Sequence, residues 1–87
     1  MTYSIEFSSS AAKALTRINK PFQLRIVGVI EFLTLDPRPP AAKMLRGGEH
    51  GRWHVRVDNY RIVYAIEDDQ LLVLVLRVAH RREVYDR

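Results

Sequence analysis

The run from Arg52 to Tyr64, RWHVRVDNYRIVY, limits what this chain can fold into more than any other stretch. It alternates polar and apolar residues, breaks at Asp58-Asn59 and alternates again, which is the pattern of two strands joined by a tight turn. With Asp58-Asn59 as a two-residue loop, Val57 pairs with Tyr60, Arg56 with Arg61, Val55 with Ile62, His54 with Val63 and Trp53 with Tyr64. One face of the hairpin then carries Trp53, Val55, Val57, Tyr60, Ile62 and Tyr64, a set that requires a core. The other carries His54, Arg56 and Arg61. Arg56 directly across from Arg61 is unfavourable. Either the two guanidiniums splay into water, where exposed charges interact weakly, or an anion sits over them.

The flanking sequence says what covers the apolar face. Thr2–Ser8 alternates, with Tyr3, Ile5 and Phe7 on one side, and reads as a first strand with one buried face. Ser8-Ser9-Ser10 offers N-caps for a helix over about 11–19, whose apolar stripe is Ala11, Ala14, Leu15 and Ile18. Pro21 suits the first turn of a second helix, with Phe22, Ile26, Val29, Ile30 and Leu33 at helical spacing and Leu24, Val27 and Leu35 widening the stripe. Gly28 within it suggests close contact with the first helix. Asp36-Pro37-Arg38-Pro39-Pro40 ends the helix.

A short strand is expected around Met44-Leu45, followed by a glycine-containing loop over 46–51 and then the hairpin. Leu71–Ala79, nearly all Leu and Val, reads as a central strand covered on both sides. The order β-α-α-β-β-β segregates strands from helices. It predicts a single α+β domain over residues 1–87, with an N-terminal strand and a helical hairpin packed on a mainly antiparallel three-stranded meander. The helices take the Trp53–Tyr64 face and leave His54, Arg56 and Arg61 on the open side.

A net charge of +4 and a pI near 9.9 point to an acidic partner such as nucleic acid or a negatively charged protein. With no cysteine there are no disulfides, thiolate zinc sites or thiol nucleophiles. The start MTYSIEF lacks signal-peptide regions and the longest apolar run, 71–76, is too short to cross a bilayer. The expectation is therefore a cytoplasmic protein with no membrane partner.

Three groups are expected to converge on the open face: His54, Arg56 and Arg61 of the hairpin; His80 and Arg81 after the apolar strand; and Tyr85 folding back over the sheet edge. Arginine's planar fork matches phosphate oxygens, histidine exchanges protons near neutral pH, and tyrosine stacks on a base or gives up a proton beside cations. Such a set suits RNA cleavage without a metal. The 2′-hydroxyl attacks the adjacent phosphate, a base takes its proton, an acid protonates the leaving 5′-oxygen and arginines hold the phosphorane charge. The acids Asp58, Glu67, Asp68 and Asp69 fall in turns, and no metal, phosphate-loop or nucleophile-elbow motif is present. The plainer readings are that Lys13, Arg17 and Lys20 form a solvated helix face, His50 belongs to its loop, and Arg81, Arg82 and Tyr85 belong to a tail or its anchor.

Asn59-Tyr60-Arg61-Ile62-Val63-Tyr64, the strand Leu71–Val78, the ending His80-Arg81-Arg82-Glu83-Val84-Tyr85 and Leu45-Arg46-Gly47 before the hairpin together resemble the RelE/ParE superfamily of bacterial toxins over essentially the full chain. In its RelE branch the resemblance implies a ribosome-dependent messenger-RNA endonuclease, the toxin of a type II toxin–antitoxin system in a bacterium or archaeon, acting in the ribosomal A site without cofactor or metal. Carried over by motif, Arg61 and Arg81 would clamp the phosphate, with Arg56 and Arg82 adding charge. Tyr85 would stack on or assist at the scissile nucleotide. His54 stands where the family usually has a lysine, and the base is open between His54 and His80. The implied partner is a RelB-like antitoxin whose acidic segment covers the basic face, with operator DNA reached only through the antitoxin. The alternative is the ParE branch, which has the same fold and inhibits DNA gyrase without nuclease activity.

Overall fold

The computed structural model describes residues 2–45 and 51–80. Strand β1 (Ser4–Phe7) is followed by helices α1 (Ser9–Thr16) and α2 (Lys20–Phe32), then by strands β2 (Lys43–Met44), β3 (Arg52–Val57), β4 (Tyr60–Glu67) and β5 (Leu72–His80). The strands form one sheet in the order β1-β5-β4-β3-β2, with β1 parallel to β5 and the other pairs antiparallel. This is the expected α+β arrangement of a helical hairpin on a meander.

Local signals account for both helices. Ser8 caps α1, its Oγ accepting from the Ala11 N–H at 3.0 Å, and the same hydroxyl donates to the Leu76 carbonyl at 2.8 Å, which ties the helix start to β5. Pro21 sits in the first turn of α2. Ile26, Ile30 and Leu33 are buried against Val55, Ile62, Tyr64, Val73 and Val75, so the core lies between α2 and the apolar hairpin face. The Tyr64 hydroxyl is buried and donates to the Pro37 carbonyl at 2.7 Å, which pins the segment after α2 to the sheet. Arg38 from that segment lies over the Trp53 ring, 5.6 Å from its centroid, and grips Asp68 with both terminal nitrogens.

Several expectations need correction. Leu24, on the outer side of α2, and Leu35, beyond the helix end at Phe32, do not widen the buried stripe but lie 59% and 66% exposed. Gly28 is exposed, and a Cβ there would meet nothing within 4 Å, so it marks no contact with α1. The short strand is Lys43–Met44, one residue earlier than expected. Strand β5 is hydrogen-bonded along both edges, but its open-face residues Leu72 and Leu74 are only half-buried, since both helices pack on the other face.

The hairpin register is the expected one throughout, from Arg52 opposite Ala65 to Val57 opposite Tyr60. Asp58 takes a φ of 55°, a left-handed conformation that Asp tolerates. Its carboxylate is held by Arg25 of α2 at 2.9 Å.

Candidate functional site

The face of the sheet that the helices leave open is basic at one end. Lys43 pairs with His54, His54 with Val63 and Val63 with Arg77, so these residues form one row across four strands. Arg56 pairs with Arg61 and Arg61 with Ala79 in the neighbouring row. Residues paired across a ladder share a face, so Lys43, Arg52, His54, Arg56, Arg61 and Arg77 all project to the open side. The acids of that face, Glu67 and Glu6, stand opposite Leu72 and Leu74, Glu6 in the same row as Arg52 but on the far edge strand. Arg56 is exposed and Arg61 half-buried; both, like Arg52, have further interactions.

His54 is the unusual member. It is half-buried, and its Nδ1 is fully buried without a hydrogen-bond partner. Burial holds its pKa below the usual histidine range, and the charges of Arg61, Lys43 and Arg56 push it the same way. The side chain is therefore a neutral imidazole among cations at physiological pH. It can take a proton while the neighbouring arginines hold an anion.

His80 is not part of this face. It pairs with Tyr60 on the side the helices cover, with ring centroids 5.2 Å apart at an interplanar angle of 84°. The cause is a bulge. Tyr64 pairs with Val75 but Val63 pairs with Arg77, which leaves Leu76 as an extra residue in β5. One inserted residue reverses the face of everything after it. Uninterrupted alternation from Val73 and Val75 would have sent Arg77 into the core and His80 to the open side. The bulge turns Val78 and His80 toward the helices and brings Arg77 out.

The structure thus brings together His54, Arg56 and Arg61 and separates His80 from them. Arg81, Arg82 and Tyr85 lie outside the described residues, as does Arg46-Gly47. Three members of the face were missed in the sequence, of which Arg52 follows from the hairpin register extended by one pair. Lys43 joins only because β2 pairs with β3 beside His54, and nothing local to residues 41–45 signals that. Arg77 had a signal, since it is the one charged residue in the run Leu71–Ala79. Among the described residues no group of His, Asp and Glu is placed to hold a metal ion. No described helix is long and apolar enough to cross a membrane.

Known proteins share this sequence pattern and fold. The chain is 33% identical over 90 residues to the Toxin RelG of Mycobacterium tuberculosis, covering all of both chains. It superposes on the toxin–antitoxin complex RelBE2 of Mycobacterium tuberculosis with a TM-score of 0.81 at 29% identity, covering 93% of this chain and 100% of that one. The isolated RelE toxin of E. coli matches with a TM-score of 0.79 at 26% identity, over 97% of this chain and 92% of the other. The family model described as the ParE toxin of the type II toxin–antitoxin system parDE matches residues 5–85. From β1 through the hairpin to its last residues, the chain belongs to this family of type II toxins within the RelE/ParE superfamily.

Proposed function

We propose that this toxin is a ribosome-dependent messenger-RNA endonuclease that cleaves by attack of the 2′-hydroxyl on the adjacent phosphate. The observation that carries the reading is His54, a neutral imidazole on the open face between Lys43 and the Arg56–Arg61 pair. In this mechanism His54 takes the 2′-hydroxyl proton. Arg56 and Arg61 hold the doubly charged phosphorane, whose formation is the step such donors favour most. The O–P bond to the 5′-oxygen then breaks, leaving a cyclic phosphate. Tyr85 or Arg81 of the motif-bearing ending supplies the remaining acid or charge, as the resemblance implies. No step needs a metal, because guanidinium groups supply the positive charge. The partner is an antitoxin with an acidic segment laid over Lys43, Arg56 and Arg61, consistent with the antitoxin complex of the RelBE2 relative. Operator DNA is reached only through that antitoxin, and the working compartment is the cytoplasm, where the ribosomes are.

The second reading is a ParE-like inhibitor of DNA gyrase, favoured by the family model that matches. Primer extension on a message translated in a purified system separates the two, with the wild type beside Arg61→Ala and His54→Ala. Ribosome-dependent cuts that disappear in both variants support the nuclease. Growth arrest without cuts, accompanied by gyrase-trapped DNA breaks, supports the inhibitor and makes the basic face a protein-docking surface.

A further inference from the structure

Strand β1 ends at Phe7, opposite Val75, so beyond that register the edge of β5 is bordered by α1 instead of by a strand. A cleft of about 470 Å³ opens there, with Lys13, Arg17, Ser9 and Ser10 on the α1 side and Arg77 with Val78 and Ala79 on the β5 side. Lys13 and Arg17 are four residues apart and therefore share one face of the helix. All three cations are exposed, and among the described residues no carboxylate pairs with any of them. Three like charges around one cleft repel each other and are stabilised by an anion between them.

Arg77 also belongs to the row that contains His54. The two are separated by one strand, two inter-strand steps of about 4.8 Å, or roughly 10 Å. A single strand of RNA with a phosphate on Arg56 and Arg61 has the length to pass over Arg77 and reach the cleft within a few nucleotides. Val63 lies between His54 and Arg77 in that row, and Arg61 stands on the same strand in the neighbouring row.

We propose that the α1–β5 cleft is a second phosphodiester site, which grips the RNA backbone a few nucleotides away from the bond that is cut. Its polar groups are ammonium, guanidinium and hydroxyl donors, which suit phosphate oxygens. Among the described residues that line it there is no aromatic platform for a base, so these residues position the strand without reading sequence. The direction of the strand rests on the nuclease reading, whereas the cleft's own affinity for RNA does not.

The test uses fluorescence anisotropy of the full toxin with 2′-O-methyl oligoribonucleotides, which lack the attacking hydroxyl, of about three and about ten nucleotides, bracketing one and two sites. Lys13→Ala/Arg17→Ala, at exposed positions of α1 and its C-cap, should weaken the long oligonucleotide about tenfold and lower its salt-dependence slope by about 1.4, the value for two lost single-strand phosphate contacts. The short oligonucleotide should bind as to the wild type. Circular dichroism confirms the fold of the variant. Unchanged binding of the long oligonucleotide overturns the proposal. So does equal weakening of both lengths, which reports only general charge, and so does lost affinity for polyglutamate with RNA binding intact, which marks an acidic-protein dock. If the wild type cuts no message on ribosomes while the length-dependent loss persists, the nuclease reading fails and the cleft stands.

Discussion

The imidazole of His80 meets the ring of Tyr60 edge-on, 5.2 Å between centroids, on the helix-covered side of the sheet, while Phe22 of α2 packs on the same Tyr60 at 5.9 Å. On the proposed mechanism this contact assigns His80 to packing and proton transfer to His54. His80→Phe should preserve the ring contact and keep message cleavage within a few-fold of wild type. His54→Ala should lower the single-turnover rate by about 10²–10⁴, the usual worth of a general base. A large loss in His80→Phe, at unchanged thermal stability, would return the base assignment to His80.

The pH dependence follows from the same environment. Burial, then Arg61, Lys43 and Arg56, depress the His54 pKa below its unfolded value near 6.5. The cleavage rate should rise with pH through a limb below 6.5 and be flat above it. The folded protein binds fewer protons here than the unfolded chain, so this stability contribution is present above pH 6.5 and lost as pH falls toward the folded pKa. Lys43→Ala should move the rising limb toward 6.5 without abolishing it, since burial is the larger cause. A limb that stays in place in that variant would remove Lys43 from the site.

Arg56 is exposed and directly opposite Arg61. Arg56→Ala should change unfolding stability by no more than about 0.5 kcal/mol, as for most surface substitutions. Cleavage should fall by about 10²–10³ if the guanidinium holds the phosphorane. Urea unfolding and primer extension on the same preparation test both halves.

Tyr64→Phe removes the hydroxyl that donates to the Pro37 carbonyl and leaves that buried acceptor unpaired. The expected cost is about 1–3 kcal/mol in urea unfolding. Burial, helped by Asp36, pushes the Tyr64 pKa up to about 12. Its contribution is full below the unfolded value near 10 and is lost as pH rises through the interval to about 12. Alkaline unfolding of Tyr64→Phe should therefore be the less steep of the two.

Gly28 lies mid-helix, exposed, with space for a Cβ. Gly28→Ala should raise stability by about 0.5–1 kcal/mol through helix propensity and a less flexible unfolded chain. A loss of stability would show that the position has a contact outside the described residues.

Alternation around Asp58-Asn59 was enough to place Arg56 across from Arg61 and to send Tyr64 inward, because a two-residue turn sets register and a period of two sets the face. Ser8 and Pro21 likewise marked the helix starts from local chemistry alone, whereas α2 ends at Phe32, ahead of the Asp36–Pro40 breaker. Three things were decided only in three dimensions. The bulge at Leu76 exchanged the faces of His80 and Arg77, since accommodating an extra residue depends on how β4 and β5 twist together. The pairing of β2 with β3 carried Lys43 to His54 across a gap in sequence. The burial that keeps His54 neutral belongs to its neighbours on adjacent strands, so the residue type marked a candidate and the fold set its charge.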